Sequence, residues 1–296
     1  MADVAKKYNS KILLFGEYTV IDGSAAIAVP FDKYYGQWTY NKTSGNKLGL
    51  QKLKNYLAKQ YYQGKIQGVD FDQFERDLAA GLIFDSIIPT GYGLGSSGAL
   101  SAAFFDQYIT KEYQYGLREL RELLALIESC FHGSSSGLDP LVSLLNMPLL
   151  VHPDGDIELL DMDRTDYLQK LRIVDTGRTR ETAPLVAAYK KTRSLSEDFT
   201  IATQRIAELT DQIITAYILG DQDSYTSLFK QLSERQLQSL TMLIPEPFVQ
   251  LWKAGLDSNK YYMKLCGAGG GGCLLTHFQD LSAAEDFAGH KLLTIL

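Results

Sequence analysis

The sequence has few cysteines, no surplus of positive charge and no long apolar run. Its 296 residues include three cysteines, none of them in a C-x-x-C pair, so reduced thiols are expected rather than a zinc site or redox motif. Acidic residues outnumber Lys and Arg by 35 to 29, which argues against duplex nucleic acid as a partner. No stretch approaches the roughly 20 apolar residues of a membrane span, and the first residues lack the pattern of a signal peptide. We therefore expect a cytoplasmic protein without a nucleic-acid or membrane partner.

The length and the pattern of the chain predict a mixed fold. At roughly 150 residues per domain, 296 residues predict about two domains. Strand-like runs dominate the first third, whereas long amphipathic helices are predicted over 196–219 and 223–240, with a break at Gly220. We expect an α/β (α+β) protein with two domains, residues 1–165 and 166–296.

Turn and capping residues divide the rest of the chain into short elements. The predicted strands cover 11–15, 19–21, 25–29, 34–40, 82–88, 149–152, 157–160, 172–175, 261–265 and 273–278. Asp22-Gly23 predicts a hairpin between two of these strands. The other predicted helices cover 48–62, 70–80, 97–111, 117–131, 245–256 and 282–288. Asp70 and Gly81 are suited to cap the two ends of one of them.

A glycine-rich segment, PTGYGLGSSG at 89–98, leads into a helix of small residues. The alternating glycines Gly91, Gly93 and Gly95 allow backbone conformations that other residues disfavour. A helix N-terminus offers unpaired N–H groups and a positive dipole end to phosphate, and the serine hydroxyls can add a magnesium ligand. Three interpretations stay open at this point: a phosphate loop, a tight helix-packing turn, and a dinucleotide site of the G-x-G-x-x-G type.

A second glycine-rich segment, CGAGGGGC at 266–273, lies between two apolar strands. A plain hairpin needs only one or two glycines, and each glycine adds conformational entropy that folding must overcome. The segment therefore indicates either backbone that runs close to a ligand or a flexible turn. No Gly-Lys-Ser or Gly-Lys-Thr follows, so it is not a Walker loop.

Three polar residues stand beside apolar segments. Glu128 falls at the edge of the apolar arc of a helix, where it is either a metal ligand or the partner of His132 four residues on. Asp139, directly before a proline, is either a helix N-cap or a functional carboxylate, and the two roles are compatible. Lys11 is either the solvated end of the first strand or a functional cation.

Three motifs occur in a fixed order: KILLFGEYTVIDG, PTGYGLGSSGAL and KLCGAGGGGC. In this order, over residues 11–273, they resemble the three motifs of the GHMP small-molecule kinases. HGSSSGLD and DTGRTRETAPLV resemble segments of the mevalonate kinases within that superfamily. The eleven-residue step from Glu128 to Asp139 also matches their step from the metal ligand to the catalytic aspartate.

The resemblance implies a fold and an activity. It implies an N-terminal domain like ribosomal protein S5 and a C-terminal ferredoxin-like domain. It also implies ATP-dependent phosphorylation of a small-molecule hydroxyl with Mg²⁺, most closely mevalonate to 5-phosphomevalonate in isoprenoid precursor synthesis.

The resemblance also implies a role for each matching residue. Ser97 and Glu128 would bind Mg²⁺. Asp139 would accept the proton of the substrate hydroxyl, with Lys11 between that hydroxyl and the γ-phosphate. The residues implied to wrap the ATP phosphates are Gly91, Tyr92, Gly93, Leu94, Gly95, Ser96 and Ser97. The residues implied to lie near the substrate are Glu17, Tyr18, Thr182, Gly269 and Gly270.

Two departures from the family pattern bear on the acceptor. Motif one usually begins Pro-Gly-Lys, and here it reads Asn9-Ser10-Lys11. Tyr18 stands where mevalonate kinases and galactokinases usually carry histidine and phosphomevalonate kinases often carry tyrosine. Phosphomevalonate is therefore a second acceptor that stays open. A diphosphomevalonate decarboxylase, an inactive metabolite-binding relative and a nucleotide-cofactor oxidoreductase are further alternatives, and a homodimer is compatible with the sequence.

Overall fold

The computed structural model describes residues 6–41, 47–110, 114–161 and 165–295. The strands in these ranges are β1 (Tyr8–Phe15), β2 (Ala26–Tyr40), β3 (Leu82–Ser86), β4 (Leu149–Val151), β5 (Ile157–Leu159), β6 (Leu171–Asp175), β7 (Tyr261–Leu265), β8 (Cys273–Phe278) and β9 (Leu292–Thr294). The α-helices are α1 (Lys47–Tyr62), α2 (Phe71–Ala80), α3 (Ser96–Tyr108), α4 (Leu117–His132), α5 (Leu138–Leu145), α6 (Thr165–Gln169), α7 (Thr182–Leu195), α8 (Glu197–Leu219), α9 (Gln222–Ser239) and α10 (Glu246–Ser258). The predicted mixed α/β class is confirmed.

The strands form two sheets. Five strands follow the order β1-β2-β4-β5, with β3 also paired to β2, and a second sheet has the order β7-β8-β6-β9. The hairpin of β4 and β5 and the antiparallel pairing of β7 with β8 agree with the predicted strands. The glycine-rich turn, defined here as Gly267–Gly272, therefore connects two adjacent strands of the second sheet.

Helix α2 shows how local sequence sets an element. The Asp70 side chain accepts a hydrogen bond from the Gln73 N–H at 2.8 Å, and Gly81 ends the helix in the left-handed conformation. These are the two residues that the sequence predicted as caps, because an aspartate satisfies a free N–H and glycine tolerates positive φ. The predicted end of the following long helix at residue 111 lies outside the described residues.

The predicted hairpin at Asp22-Gly23 is wrong. Thr19–Asp22 is a short 3₁₀ helix, and Gly23 closes it with φ of 87°. The chain leaves β1 through Gly16 at φ of 106° and Tyr18 at φ of 61°, and this backbone turns away from the extended path that a second strand needs. A positive φ at a tyrosine has no signature in the sequence.

Helix α7 has no counterpart among the predicted helices. It contains Pro184 in its first turn, where a missing N–H does no harm because that N–H would have no partner within the helix. The proline therefore argues against a helix when the sequence is read alone, but at this position it does not break the helix.

The chain divides into two compact units. The first unit comprises Met1–Lys11, Pro30–Pro89 and Leu94–Met147, and the second comprises Ile12–Val29, Thr90–Gly93 and Pro148–Leu296. The predicted domain boundary between residues 165 and 166 rests on the change from strand-rich to helix-rich sequence, and it stays a prediction.

Each unit has its own apolar core. The core of the first unit packs α1, α2, α3 and α4 around Phe74, Phe104 and Tyr108. In the second unit, Trp252 of α10 is fully buried and donates its indole N–H to Ser233 of α9 at 2.8 Å. Burial of large aromatic side chains with satisfied polar tips fixes the helices that carry them.

The three cysteines are free and buried. In the described ranges no helix is both long and apolar enough to cross a membrane.

Candidate active site

Lys11 and Asp139 form a salt bridge in the first unit. Lys11 lies in β1, is 8% exposed, and places its Nζ 3.0 Å from Asp139 Oδ1. Its backbone N–H donates to the carbonyl of Leu94 at 3.0 Å, which ties β1 to the end of the glycine-rich loop. The interpretation of Lys11 as a solvated strand end is therefore wrong.

Asp139 occupies the first turn of α5 but does not cap it. The N-cap is Gly137, at φ of 72°, so the capping interpretation of Asp139 is wrong. Gly98 of α3 makes the site compact, because a Cβ there would lie 2.8 Å from the Cβ of Asp139. The small residues at the start of α3 thus allow close packing of two helix N-termini.

Ser97 and Glu128 meet beside this pair, in the same unit. The Ser97 hydroxyl donates to Glu128 Oε1 at 2.7 Å, and Ser135 donates to Glu128 Oε2 at 2.5 Å. His132 Nε2 lies 2.9 Å from the same Ser97 hydroxyl. Glu128 and His132 therefore share Ser97 instead of contacting each other, and the predicted Glu128–His132 pair is not formed.

The Glu128 carboxyl is buried near a second carboxylate. It is 5% exposed, and burial, together with the negative charge of Asp139, raises its pKa to about 7. The hydrogen bonds from Ser135 and Ser97 and the charge of Lys11 oppose this rise. A buried carboxyl next to a second carboxylate is stabilised in its charged form by a positive ion.

The donor set fits a magnesium ion held jointly with a nucleotide. Among the described residues, no three His, Cys, Asp or Glu side chains gather to hold a metal alone. Mg²⁺ in phosphate-transfer sites is held by one or two carboxylates together with phosphate oxygens and water. Glu128 and Ser97 offer a carboxylate and a hydroxyl, both hard oxygen ligands.

The glycine-rich loop has the unusual backbone conformation that its glycines permit. Gly91, Gly93 and Gly95 have φ values of 78°, 73° and 80°, so each adopts a conformation that side chains disfavour. Gly95 is the N-cap of α3, and Ser96 and Ser97 are its first two residues. Unpaired N–H groups at this helix start are suited to phosphate.

Arg180 is a site residue that the sequence analysis missed. In the second unit its backbone N–H donates to the Gly91 carbonyl at 2.9 Å, and its guanidinium lies against Gly93 and Gly267. Its NH1 also donates to the Thr182 hydroxyl, at the start of α7. A guanidinium beside a phosphate-type loop is suited to a phosphate oxygen, because its planar fork matches that geometry.

Glu17 is buried in an ion pair with a lysine. Its carboxylate forms an ion pair with Lys264 of β7, and the exposed fraction of these residues is 3% and zero. The Lys264 ammonium also donates to the Leu265 carbonyl at 2.6 Å. A buried ion pair of this kind leaves a costly charge behind when one partner is removed.

Tyr18 holds its hydroxyl on the glycine-rich turn. The hydroxyl donates to the Ala268 carbonyl at 2.7 Å, and the ring stacks on Tyr189 with centroids 4.5 Å apart. Burial raises the pKa of Tyr18 to about 12, although the charge of Arg180 opposes this rise. A non-glycine residue at φ of 61° costs on the order of 1–3 kcal/mol, so its surroundings hold it there.

The glycine-rich turn packs against the protein itself. The Gly270 N–H donates to the Leu243 carbonyl and the Gly272 N–H to the Arg178 carbonyl, both at 2.6 Å. A Cβ at Gly270 would lie 2.8 Å from Leu185. Close packing with neighbouring backbone thus accounts for the glycines at 269–272, and the interpretation as a flexible turn is not favoured.

Comparisons with known proteins show which proteins this chain resembles. Residues 51–146 match the family model described as "GHMP kinases N terminal domain". Over these residues the chain is similar to the GHMP kinases. A relative named mevalonate kinase from Pyrococcus abyssi (strain GE5 / Orsay) is 24% identical over 298 residues, which cover 90% of this chain and 85% of the relative.

Solved structures extend the similarity to the fold. The mevalonate kinase of Methanococcus jannaschii has a TM-score of 0.64 at 18% identity and covers 99% of this chain and 98% of its own. The phosphomevalonate kinase of Streptococcus pneumoniae has a TM-score of 0.64 at 14% identity, with 98% of each chain covered. At such identities the likeness shows the fold, and the predicted two-domain GHMP kinase architecture is confirmed.

The predicted site residues fall into two sets. Lys11, Ser97, Glu128 and Asp139 come together in the first unit, as the motifs implied. Leu94, Gly95 and Ser96 belong to the same unit. The remaining predicted residues belong to the second unit: Glu17, Tyr18, Gly91, Tyr92, Gly93, Thr182, Gly269 and Gly270.

Glu128→Gln is expected to change how stability depends on pH in metal-free buffer. A carboxyl with a pKa of about 7 when folded and 4.5 when unfolded binds its proton more tightly in the folded protein. Its contribution to stability is therefore present at pH 5 and lost as the pH rises through 7, by about 2 kcal/mol between pH 5 and pH 8. Urea unfolding at both pH values measures this difference.

The control is Glu122→Gln, which removes an exposed carboxylate from the same helix. We expect the difference between pH 5 and pH 8 to shift by about 2 kcal/mol in Glu128→Gln and to stay at the wild-type value in Glu122→Gln. The same pH dependence in all three proteins would show that the Glu128 carboxyl is not perturbed.

Proposed function

We propose that this protein is a GHMP-type kinase that transfers the γ-phosphoryl group of ATP to the hydroxyl group of mevalonate. The observation that carries the proposal is the Lys11–Asp139 salt bridge at 3.0 Å, within the same unit as the Ser97–Glu128 pair at 2.7 Å. A cation, a carboxylate and a hard-oxygen donor pair are the groups that phosphoryl transfer uses.

Asp139 and Lys11 serve the acceptor hydroxyl. The hydroxyl oxygen forms a bond to the γ-phosphorus, the bond from that phosphorus to the β–γ bridging oxygen breaks, and ADP leaves. The hydroxyl proton passes to the Asp139 carboxylate, whose side chain is 29% exposed and thus accessible. Lys11 orients this carboxylate and offsets negative charge on the transferred group.

Ser97 and Glu128 would hold Mg²⁺ with ATP. The ion supplies charge neutralisation to the phosphates. The protein contributes a preorganised carboxylate, because Ser97 and Ser135 fix both of its oxygens before any ligand arrives. Fixed ligands reduce the ordering cost of binding.

The phosphates of ATP would lie along the loop of residues 91–97. The glycines of this loop have positive φ values, as residues of anion-binding backbone turns do, and the first turn of α3 adds the positive end of a helix dipole. The guanidinium of Arg180, against Gly93, adds a full positive charge to this part of the loop.

Mevalonate is the acceptor that the motifs support best. HGSSSGLD and DTGRTRETAPLV resemble mevalonate kinase segments, and the Pyrococcus relative that covers 90% of this chain has that name. Phosphomevalonate is the second candidate, supported by Tyr18 at the motif-one position and by the shared fold of the Streptococcus phosphomevalonate kinase.

Asp139→Asn is expected to lower kcat by about 10²- to 10⁴-fold, because the amide cannot accept the hydroxyl proton. ADP release in a coupled assay measures kcat, and thermal unfolding checks that the variant folds. The control is Asp106→Asn, which removes a carboxylate that pairs with Lys6 in the same unit. A kcat within about threefold of wild type in Asp139→Asn would remove this residue from the mechanism.

Glu128→Gln is expected to raise the Mg²⁺ concentration that gives half-maximal activity by about 10- to 100-fold, since an amide is a weaker magnesium ligand. Titration of the metal at fixed ATP concentration measures this shift, and Glu122→Gln is again the control. An unchanged magnesium response would show that Glu128 is not a magnesium ligand and only accepts the hydrogen bond from Ser97.

The acceptor is tested by an ADP-release screen over mevalonate, phosphomevalonate, galactose and homoserine. We expect the highest kcat/KM with mevalonate. A higher kcat/KM with phosphomevalonate would replace the proposed acceptor by the second candidate. ADP release with none of the four, from folded protein that binds Mg-ATP, would favour the metabolite-binding alternative.

A further inference from the structure

We propose that Tyr18 is a positioning residue that holds the glycine-rich turn in one conformation through the Ala268 carbonyl. Its kinetic consequence rests on the proposed kinase function, whereas its effect on the turn does not. The phenol hydroxyl donates to this carbonyl at 2.7 Å, and both residues are buried. A tyrosine loses little side-chain freedom in such a contact, because only two side-chain dihedral angles are fixed.

The ring of Tyr18 is held from the opposite side by helix α7. It stacks on the ring of Tyr189 with an interplanar angle of 30°. The Tyr189 hydroxyl donates to Asp22 Oδ2 at 2.7 Å, and Arg193, one helical turn further along α7, lies 3.2 Å from Asp22 Oδ1. A continuous series of contacts within the second unit thus connects α7 to Ala268.

The backbone of Tyr18 is fixed independently of its ring. Its φ of 61° is unusual for a bulky residue, and the preceding Glu17 is bound to the fully buried Lys264 of β7. Backbone of this kind persists where the surrounding contacts over-determine it, and such positions cluster at functional sites. The Tyr18 backbone is therefore fixed, and the hydroxyl at the end of its side chain contacts the turn.

The Tyr18 hydroxyl adds to the contacts that hold the turn through the N–H groups of Gly270 and Gly272. Its five glycines all have positive φ, between 67° and 154°, and glycine-rich backbone has many competing conformations. Ala268 is the one residue of the turn that is not glycine. A hydrogen bond to its carbonyl fixes the first half of the turn, while Thr176 donates to the Gly272 carbonyl at 2.8 Å in the second half.

A turn that is ordered before the ligand arrives binds the ligand more tightly, because binding need not supply the ordering free energy. Loss of the Tyr18 hydroxyl should therefore raise KM for ATP or for the acceptor, whichever contacts the turn, and leave kcat nearly unchanged. This split between KM and kcat distinguishes a positioning role from a role in the chemical step.

The variant is Tyr18→Phe, which removes the hydroxyl and keeps the stacked ring. The matched control is Tyr225→Phe in the same unit, since Tyr225 is fully buried and its hydroxyl has no hydrogen-bond partner in the described part of the chain. Both variants lose one buried oxygen, but only the first loses a contact to the turn.

Amide hydrogen exchange of the full chain tests the contact without any activity. We expect exchange at Gly269–Gly272 to rise about tenfold in Tyr18→Phe, the scale of one net hydrogen bond, and to stay at the wild-type rate in Tyr225→Phe. Exchange in β7 and β8 should stay within about threefold of wild type. Wild-type exchange in the turn of Tyr18→Phe, or an equal rise throughout β7 and β8, would overturn the proposal.

Steady-state kinetics test the consequence for binding. We expect KM for ATP or for the acceptor to rise about tenfold in Tyr18→Phe, with kcat within about threefold and with Tyr225→Phe unchanged. Unchanged KM values with faster exchange in the turn would overturn the link to ligand binding. If the wild-type protein fails to release ADP with any of the four acceptors, the proposed function fails. Hydrogen exchange alone still decides whether Tyr18 holds the turn.

Discussion

The salt bridge between Lys11 and Asp139 is the interaction on which the first unit's site depends. Lys11 is largely removed from water, so its charge requires a nearby carboxylate. The two residues are 128 positions apart, and their contact fixes β1 against the first turn of α5. Gly95 and Gly98 make this approach possible, because side chains at either position would occupy the space of Lys11 or Asp139. Charge pairing and close packing thus support each other.

A second electrostatic constraint lies beside the first. Lys11 forms an ion pair with Asp139, and its charge only partly offsets the effects of burial and of Asp139 on the buried Glu128. Burial and mutual repulsion work against the charged form of Glu128, whereas hydrogen bonds from Ser97 and Ser135 favour it. The balance suits a site whose charge is completed by a ligand, which is the usual arrangement in enzymes that handle nucleotide phosphates.

Local signals in the sequence predicted the elements better than the contacts between them. Asp70 and Gly81 announce the ends of α2, because capping depends on residues within one turn of the helix. The contact of Lys11 with Asp139 could be inferred only from the family resemblance, since spacing alone does not bring distant segments together. Arg180 was missed for the same reason, because only the folded structure places this loop arginine beside Gly91 and Gly93. The backbone of Tyr18 likewise follows from tertiary contacts, which override local preference.

The buried cysteines give each unit its own probe of local opening. Cys130 lies in the core of the first unit, and Cys266 and Cys273 flank the glycine-rich turn of the second. Burial raises the pKa of the Cys130 and Cys273 thiols, so neither presents a reactive thiolate while the structure is closed. A thiol-alkylating reagent would therefore label these positions only when the surrounding core opens. The labelled peptide would report which unit had opened, so the natural sequence already carries a site-specific reporter of partial unfolding in both units.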